Sequence, residues 1–479
     1  LVVGSSDVYK RQYLSVSGFC ADFLFPKKCF PEVIIMTEKL LELLKEKNYV
    51  KIKSAVRDLY PADLAALLET LEPRDITLIF RLLPKELAAE TFTYMDSDTQ
   101  MHLISGFSDK ELREMLDEIF VDDTVDIIEE MPANVVSRIL QNTDSETRKQ
   151  INDILNYPAD SAGSVMTTEY VYLHKEMTCH EALDWIRKVG VVKETIYTCY
   201  VTESRKLIGF VTILDLVTAD ENLTIESIMD THVIYVKTHE DREDVAKKFS
   251  KYDFLAMPVV DNDRRMVGII TFDDVLDVIL EENEEDFSKM AAIQPTVDAY
   301  FKTSVFTHAK NRIGWLLILM FSATITGSLL THYENAFKAL PLLVSFIPML
   351  MSTGGNCGSQ SSTTVIRGLA TEEIKFKDFF KVVYKEFRIS LIVSVILAFA
   401  NGLRIFIFYN QDIRLSLTVS FSIIGTVIIS KFIGCVLPLL AKRVKLDPAL
   451  MATPLISTIV DTCSMLIYFQ IATLIFPQL

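Results

Sequence analysis

Residues 450–476 read LMATPLISTIVDTCSMLIYFQIATLIF, an apolar run that carries a single formal charge, Asp461. About 20 apolar residues are enough for a helix to cross a bilayer, so this run predicts a transmembrane helix. A carboxylate at bilayer depth costs about 2.5–3.5 kcal/mol on insertion scales. We therefore expect Asp461 to hold a ligand that repays this cost.

The charges of the 479-residue chain are divided unevenly along the sequence. Residues 301–479 contain 16 Lys and Arg and 8 Asp and Glu, a balance of +8, whereas residues 1–300 have a balance of −24. This division predicts an acidic, water-soluble front part followed by a membrane part. Such acidity argues against nucleic acid as a partner and favours cations.

The seven cysteines are scattered without a CxxC pair, which indicates a reducing cytosolic compartment and no zinc site. Residues 1–35 lack any periodicity, and the regular pattern starts at Met36. We interpret 1–35 as a non-native or disordered extension.

Residues 36–160 are predicted to form an all-α acidic domain. Segments such as PADLAALLETLEP (61–73) and SDKELREMLDEIF (108–120) place apolar residues at i, i+3, i+4 and i+7 and begin near Pro or Ser. The recurrence of such short helices indicates a superhelical arrangement.

Residues 161–285 contain an internal duplication. SVMTTEYVYL (164–173) matches SIMDTHVIYV (227–236), and LIGFVTILDL (207–216) matches MVGIITFDDV (266–275). Each half predicts the order strand, helix, two strands, helix. The arrangement resembles a tandem pair of α/β cystathionine-β-synthase (CBS) domains, over 161–223 and 224–285.

A Thr-x-x-Asp pattern is repeated in the two halves, at Thr212/Asp215 and Thr271/Asp274. The resemblance implies an adenosine nucleotide such as ATP at Thr212, Asp215 and Thr271. The alternative is that both pairs only cap the helices that follow them. Residue 214 is Leu where nucleotide-binding members of such families have a basic residue, which weakens the case for ATP.

A charged linking helix is predicted over 286–312, and an α-helical transmembrane domain over 313–479. The loops before the first predicted span, between the second and third, and between the fourth and fifth are rich in Lys and Arg. The positive-inside rule then places the N-terminus in the cytosol and the C-terminus outside. The five predicted spans are 313–332, 339–352, 389–408, 415–440 and 451–476.

The second predicted span is short and runs into the glycine-rich stretch STGGNCGSQSSTT (352–364). Short, glycine-interrupted apolar segments often mark permeation sites, because irregular backbone at membrane depth must line protein or water. Gly354, Gly355 and Gly358 allow close approach of backbones, and Asn356 and Gln360 add dipoles. The alternative is close helix packing alone.

Asp461 shares a helix face with Ser457 and Thr458, and Pro454 leaves a carbonyl free one turn earlier. These oxygen donors favour hard cations, and a single carboxylate among neutral oxygens suits hydrated magnesium. A proton relay is the competing interpretation, but the predicted spans offer only Asp461 as an acid and Lys431 besides. Whether Lys431 faces the helix bundle or the membrane interface stays open.

FIPMLMSTGGNCGSQSSTTVIRGLA (346–370) and KLDPALMATPLISTIVDTCSMLIYF (445–469) closely resemble the signature segments of MgtE-type magnesium transporters and channels. The order of domains agrees over about 36–479. The resemblance implies a homodimer with a pore on its two-fold axis, lined by the second and fifth spans. It implies that Asp461 takes hydrated magnesium, that Asn356 lies in the pore element, and that Asp447 is a ligand at the cytosolic mouth.

The resemblance also implies a cytosolic magnesium sensor whose carboxylates bridge the helical domain, the CBS pair and the linker and close the pore. Asp122/Asp126 and Glu282/Glu285/Asp286 share helix faces by spacing, where like charges repel until a cation binds. A solvated acidic face is the alternative. The sensor residues implied are Glu90, Asp122, Asp126, Glu243, Asp253, Asp274, Asp277, Glu282, Glu285 and Asp286.

The sequence thus predicts a plasma-membrane magnesium channel or transporter that moves Mg²⁺ into the cytosol and performs no catalysis. One alternative is a broader divalent cation permease that also passes manganese or cobalt. Another is a membrane-anchored sensor whose CBS pair binds nucleotide.

Overall fold

The computed structural model describes residues 36, 40–296, 300, 303–333, 341–408, 413–451 and 453–476. The extension at 1–35 lies outside the described residues. The chain forms two compact units, residues 1–278 and residues 279–479. We call them the soluble unit and the membrane unit.

Short helices fill residues 49–155, as the amphipathic pattern predicts. Pro61 and Pro73 stand in the first turns of two of them, and Ser108 and Glu111 form a capping box on a third. Their apolar faces meet in a core that includes Leu64, Ile79 and Phe92. The helices are α1 (Tyr49–Val56), α2 (Pro61–Leu68), α3 (Pro73–Phe80), α4 (Lys85–Thr93), α5 (Ser97–Gly106), α6 (Asp109–Leu116), α7 (Val121–Glu130), α8 (Ala133–Asn142) and α9 (Ser145–Leu155).

The duplicated segment forms two three-stranded sheets of identical topology. In each sheet the first strand pairs in parallel with the second, and the second pairs antiparallel with the third. The first half contains β1 (Tyr170–Leu173), α10 (Cys179–Val189), β2 (Thr195–Glu203), β3 (Lys206–Thr212) and α11 (Ile213–Thr218). The second contains α12 (Ile225–Ile228), β4 (Val236–Lys237), α13 (Arg242–Tyr252), β5 (Ala256–Val260), β6 (Met266–Thr271) and α14 (Phe272–Met290).

The repeated glycine of each half packs against the repeated methionine of the other half. A Cβ added at Gly209 would lie 2.9 Å from Met229 Sδ, and a Cβ added at Gly268 would lie 2.9 Å from Met166 Sδ. Each glycine therefore leaves space for the methionine of the other half. This exchange explains why both residues recur, and it confirms the predicted pseudo-symmetric CBS pair.

The predicted separate linking helix over 286–312 is wrong for the residues that the structure describes. Residues 286–290 complete α14, which begins at Phe272, and residues 291–296 are not helical. The next helix begins at Val305, capped by the hydroxyl of Ser304. The acidic run after the second CBS domain has good helix formers and no breaker, so it continues the preceding helix.

The membrane unit is built from α15 (Val305–His332), α16 (Ile347–Ala370), α17 (Phe379–Phe408), α18 (Ile413–Arg443) and α19 (Thr453–Ile475). Four described segments are long and apolar enough to cross a membrane: Val305–His332, Phe376–Phe408, Ile413–Arg443 and Pro448–Ile475. The more polar α16 is not among them, so the count of five spans stays a prediction.

The glycine-rich stretch 352–364 is helical, contrary to the expected irregular backbone. It lies inside α16, which starts after a 3₁₀ turn over Pro341–Phe346. Gly354, Gly355 and Gly358 are buried against neighbouring helices, so tertiary packing compensates for their low helix propensity. Close packing, which the sequence left as the alternative, therefore accounts for these glycines.

Candidate cation sites

Asp461 lies in the middle of α19 and is half-buried in the single chain. Ser457 and Thr458 lie one turn before it on the same helix. The predicted contribution of Pro454 is wrong: this proline sits in the first turn of α19, so no residue of α19 lies four positions before it whose carbonyl it could leave unbonded. The carbonyl of Pro454 itself accepts a hydrogen bond from the Thr458 hydroxyl at 2.9 Å. Asp461 therefore stands beside hydroxyl oxygens rather than beside a free carbonyl.

Helix α16 packs its glycine face against the same part of α19. A Cβ added at Gly354 would lie 2.8 Å from Ser464 Oγ, and one added at Gly355 would lie 3.3 Å from Ser457 Oγ. Residue 356, the predicted pore asparagine, follows directly and is exposed in the single chain. The two segments that the resemblance assigns to one pore are thus in direct contact.

Glu386 is a second acidic side chain inside the membrane helices, which corrects the prediction that Asp461 is the only one. The predicted third span began at residue 389, but α17 begins at Phe379 and carries Glu386 in a buried position. Lys431 of α18 faces the helix bundle and lies 3.8 Å from Glu386. The structure thereby decides the orientation of Lys431 that the sequence left open.

Asp447, the predicted ligand at the cytosolic mouth, has a lysine beside it. Its Oδ1 accepts a hydrogen bond from the amide of Ala449, and its Oδ2 lies 2.8 Å from Lys289 Nζ. Lys289 also lies 2.8 Å from Glu285, one turn earlier on α14. Burial disfavours the charged lysine, but its hydrogen bonds to Asp447 and Glu285 outweigh this and raise the pKa of Lys289.

Three carboxylates converge in the soluble unit: Asp122, Glu169 and Glu194, which we call the carboxylate cluster. One oxygen from each lies within 4.8 Å of the others. Asp122 stands in the first turn of α7, whereas Glu169 and Glu194 immediately precede β1 and β2. These two strands are parallel neighbours, and the Glu194 amide donates to the Glu169 carbonyl at 2.9 Å, so both glutamates start at the same sheet edge.

Each member of the carboxylate cluster has one buried oxygen that lacks a hydrogen-bond partner among the described residues: Asp122 Oδ1, Glu169 Oε2 and Glu194 Oε2. Buried polar atoms are otherwise almost always paired, so an orphaned oxygen requires an explanation. Oxygen-only donors of this kind are the ligands that magnesium prefers. A hard divalent cation would satisfy all three atoms at once.

The pKa values of these acids are raised because the site is desolvated and crowded with negative charge. Burial, with Asp123 next in importance, raises the pKa of Asp122 to about 7, and burial with the charge of Asp122 raises those of Glu194 and Asp274 to about 8 and about 7. Desolvation and the charge of Asp274 also raise the pKa of Asp126, but its side chain is exposed, so water screens part of this effect.

The sequence predicted only part of this cluster. Asp122, Asp126 and Asp274 were among the predicted sensor residues, but Glu169 and Glu194 were not. They lie 25 positions apart with no helical spacing between them, and only the pairing of β1 with β2 brings them together. The one signal in the sequence is an acid placed directly before each of the first two strands of this half.

Other predicted sensor residues lie outside the three carboxylates that meet. Glu90 is exposed on α4, Asp277 is exposed on α14, and Asp253 ends α13 in a left-handed conformation. Glu243 forms an ion pair with Lys247 at 2.7 Å. In the membrane unit, the α14 residues Glu282, Glu285 and Asp286 are half-buried, and Glu285 contacts Lys289.

The predicted nucleotide residues act as helix caps in this structure. Thr212 and Asp215 form a capping box on α11, with their side-chain oxygens 2.5 Å apart. Thr271 and Asp274 repeat this contact at 2.6 Å. A cleft of about 290 Å³ in the CBS pair, lined by residues that include Tyr235 and Arg264, is lined by none of Thr212, Asp215 and Thr271. The capping alternative therefore accounts for both pairs.

Sequence patterns of three known families match the chain. The divalent cation transporter family matches residues 347–471, the MgtE intracellular N domain matches 59–160, and the CBS domain matches 162–222 and 225–281. Together these matches cover the helical domain, both CBS halves, and the membrane unit from the start of α16 to near the end of α19.

Curated relatives resemble the chain over nearly its whole length. The magnesium transporter MgtE of Thermus thermophilus is 34% identical over 449 residues, 92% of this chain and 99% of the relative. That of Bacillus subtilis is 31% identical over 437 residues, 88% of this chain and 96% of the relative. A solved cytosolic domain of the Mg²⁺ channel MgtE in complex with ATP is 35% identical, with a TM-score of 0.48, over 50% of this chain and 99% of that structure.

Proposed function

Because the chain belongs to the MgtE family of magnesium transporters, we propose that it moves Mg²⁺ into the cytosol and closes when cytosolic Mg²⁺ binds its soluble unit. The pore lies on the two-fold axis of a homodimer in the plasma membrane, with the N-terminus in the cytosol and the C-terminus outside. The family itself consists of transporters rather than enzymes.

The observation that carries this proposal is the contact between the Asn356 segment and the Asp461 segment. Gly355 leaves space for Ser457, one turn before Asp461, so the amide segment and the carboxylate segment are in contact. In the proposed pore, both segments line one passage. In the dimer, one carboxylate from each chain attracts a divalent ion, while amide and hydroxyl oxygens accept hydrogen bonds from its water shell. Magnesium loses its waters reluctantly, so a hydrated ion fits this mixture of donors.

Closure is assigned to the carboxylate cluster and to the acidic residues of α14. Ionised Asp122, Glu169 and Glu194 repel one another when helix α7 docks on the first CBS domain without a cation. A bound Mg²⁺ removes the repulsion and supplies the missing partners of three buried oxygens. The docked population then rises by the differential affinity of Mg²⁺ for that state.

Passage of manganese or cobalt as well as magnesium is the second candidate. Oxygen-only donors do not exclude these ions, because carboxylate and carbonyl oxygens also suit manganese. Nucleotide binding at Thr212, Asp215 and Thr271 would add a second input to gating. The caps formed by these residues give it less support than the unpaired oxygens give to a cation.

Uptake of Mg²⁺ into liposomes that contain the purified chain, followed with a fluorescent dye, tests transport. We expect uptake that saturates with Mg²⁺ and is reduced little by equal concentrations of Mn²⁺ or Co²⁺. Equal competition by all three ions would replace the magnesium-selective proposal with a broad permease. Absence of any flux would overturn transport itself.

Limited proteolysis tests closure. Chymotrypsin cleavage within residues 281–310 should slow as Mg²⁺ is added, and neutralising Asp274, Asp277, Glu282 and Glu285 together should abolish this slowing. If the quadruple variant still responds at the parental Mg²⁺ concentration, these acids are not the sensor. Replacing Asp63, Asp75, Glu86 and Asp98 of the helical domain by amides provides a control with the same change of net charge.

A further inference from the structure

Three polar side chains meet inside the membrane unit at a place that the proposed function does not use. They are Ser361 of α16, Glu386 of α17 and Lys431 of α18. The Ser361 hydroxyl donates to Glu386 Oε2 at 2.5 Å and accepts from Lys431 Nζ at 3.2 Å, while the two charges lie 3.8 Å apart. The serine therefore links the ammonium to the carboxylate.

This group of residues is buried: only 6% of the Lys431 side chain and 10% of the Glu386 side chain are exposed. A buried ion pair adds little net stability compared with apolar side chains of similar volume, because both charges lose their hydration. Unlike an apolar contact, an ion pair stabilises only the arrangement in which each charge faces its partner. This pair therefore favours one relative position of the three helices.

The other contacts of α16 in this region are made largely by glycines. A Cβ at Gly434 of α18 would clash with the Gly358 carbonyl, and one at Gly358 would lie 2.8 Å from Ile456 Cγ2 of α19. Helix α16 is thus held between two helices through glycine contacts. These contacts bring backbones close, but a glycine has no side chain that could form a hydrogen bond or an ion pair with one particular partner residue.

Ser361 lies three residues after Gly358, almost one turn further along α16. Its hydrogen bonds to Glu386 and Lys431 therefore act where the glycine contacts end. A slip of one residue would move α16 by about 1.5 Å along its axis and rotate it by about 100°. Such a slip would break both bonds, and it would also displace Asn356 from its place beside the Asp461 helix.

We propose that Glu386 and Lys431 are positioning residues: through Ser361 they set the axial position of α16, and with it the alignment of Asn356 with Asp461. The alignment follows from the helix contacts alone. Its effect on Mg²⁺ flux rests on the proposed function.

A cysteine pair reports the alignment without any transport measurement. A Cβ at Gly355 would lie 3.6 Å from Ser457 Cβ, and disulfides join Cβ atoms about 3.5–4.5 Å apart. Gly355→Cys and Ser457→Cys, in a full-length chain whose native cysteines are replaced by alanine, should therefore cross-link under mild oxidation. Peptide mass mapping identifies the bond, and gel mobility distinguishes links within one chain from links between chains.

The deciding variant is Lys431→Met combined with Glu386→Gln, because it removes both charges and leaves no unpaired buried charge. We expect this variant to reach the membrane and purify as the parent does, but to lose the cross-link between residues 355 and 457. Lys431→Arg, which keeps the charge, should retain the cross-link. Lys381→Met is the matched control, since its ion pair with Asp378 at 2.8 Å is exposed and should not affect the cross-link.

Parental cross-linking in the double variant overturns the proposal. Failure of the double variant to assemble also overturns it, because the pair would then serve folding rather than alignment. Flux is measured separately on chains without the introduced cysteines: the double variant should show a lower maximal rate of Mg²⁺ uptake than the parent. A parent chain that transports no Mg²⁺ would overturn the proposed function, while the cross-linking result would still decide the positioning role.

Discussion

The two candidate cation sites of this chain differ in how their carboxylates are arranged. Asp461 stands among hydroxyl side chains on one helix, whereas Asp122, Glu169 and Glu194 converge from a helix and two strand ends. An ion that must pass needs binding weak enough to leave again, which one carboxylate and neutral oxygens provide. An ion that must report its concentration needs several charges at once. Permeation and sensing therefore call for different numbers of acids.

The two units also differ in what compensates the negative charge of their buried acids. In the membrane unit Glu386 is paired with Lys431, so its charge is compensated by the protein. In the carboxylate cluster most charged neighbours are acidic, although Lys193 acts on Glu169, and three buried oxygens lack hydrogen-bond partners among the described residues. Protons or a cation would compensate the remaining negative charge, which makes that region sensitive to both.

The largest expected effect is the loss of Mg²⁺ uptake when the carboxylate of Asp461 in the membrane unit is removed. Asp461→Ala should reduce Mg²⁺ uptake into liposomes to the leak of empty liposomes, because the proposed pore loses the charge that attracts a divalent ion. Asp461→Asn should be intermediate, since the amide keeps an oxygen. Size-exclusion chromatography checks that assembly is unchanged, and Asp378→Ala, in the 3₁₀ turn before α17, is the control. Undiminished flux in Asp461→Ala would remove this residue from the pore.

The pH dependence of closure should be the next largest effect. The pKa values of Asp122, Asp274 and Glu194 lie at about 7, about 7 and about 8 in the folded chain, above the ordinary carboxyl range. The docked state then binds more protons than the undocked state, so without Mg²⁺ its stability falls as pH rises from about 4 to about 8. Protons and Mg²⁺ compete for the same oxygens, so Mg²⁺ binds more strongly at higher pH.

Chymotrypsin protection of residues 281–310 measures both consequences. Without Mg²⁺, protection should decrease as the pH is raised from 6 to 8. The Mg²⁺ concentration for half-maximal protection should fall by more than about tenfold over the same range, since each bound ion displaces protons. If the Mg²⁺ concentration for half-maximal protection does not change with pH, the acids with raised pKa values do not bind the ion.

Neutralising the cluster in part should have a smaller effect. Asp122→Asn with Glu194→Gln leaves Glu169 and Asp274, so we expect the half-protecting Mg²⁺ concentration to rise by about tenfold, or about 1.4 kcal/mol. Glu130→Gln at the end of the same helix is the matched control. A double variant with the parental midpoint would assign closure to residues of α14 alone.

The smallest expected effect is at Lys289, where an ammonium stands between Glu285 and Asp447. Lys289→Gln leaves two carboxylates facing each other, so Mg²⁺-free protection should weaken by at most about fivefold, the size of a partly exposed ion pair. Added Mg²⁺ should restore it by bridging the two acids. Chymotrypsin suits this test because it cleaves after neither lysine nor glutamine, and Lys110→Gln is the control. Unaltered protection without Mg²⁺ would show that this ion pair does not hold α14.

Much of the architecture followed from local patterns in the sequence. The duplicated Met and Gly positions predicted two equal CBS halves, and the structure places Met166 on Gly268 and Met229 on Gly209. Amphipathic spacing and prolines predicted the short helices of the soluble unit, and long apolar runs predicted the membrane helices. These features depend on residues that are close together along the chain, so the spacing of hydrophobic residues predicts them directly.

Other features depended on contacts between residues far apart in the sequence. Periodicity indicated a break at the glycines of 352–364, but packing against α18 and α19 keeps that stretch helical. Counting charges in the predicted spans missed Glu386, because the third span was predicted to begin at residue 389 whereas α17 begins at Phe379, ten residues earlier. The burial of Glu386 is set by the partner helices rather than by the composition of its own segment. From the sequence, Lys431 could face either the helix bundle or the membrane interface, and its contacts with Glu386 and Ser361 show that it faces the bundle.

The sequence by itself determined the order of domains, the family, and the position of a carboxylate, Asp461, within an apolar run, because each of these can be read from contiguous residues. Only the tertiary structure decided which acids meet. Glu169 and Glu194 become neighbours through the parallel pairing of β1 with β2, and Asp122 joins them from a helix more than 40 residues earlier. A cation site is a point in space reached by several segments, and its members share no spacing along the chain.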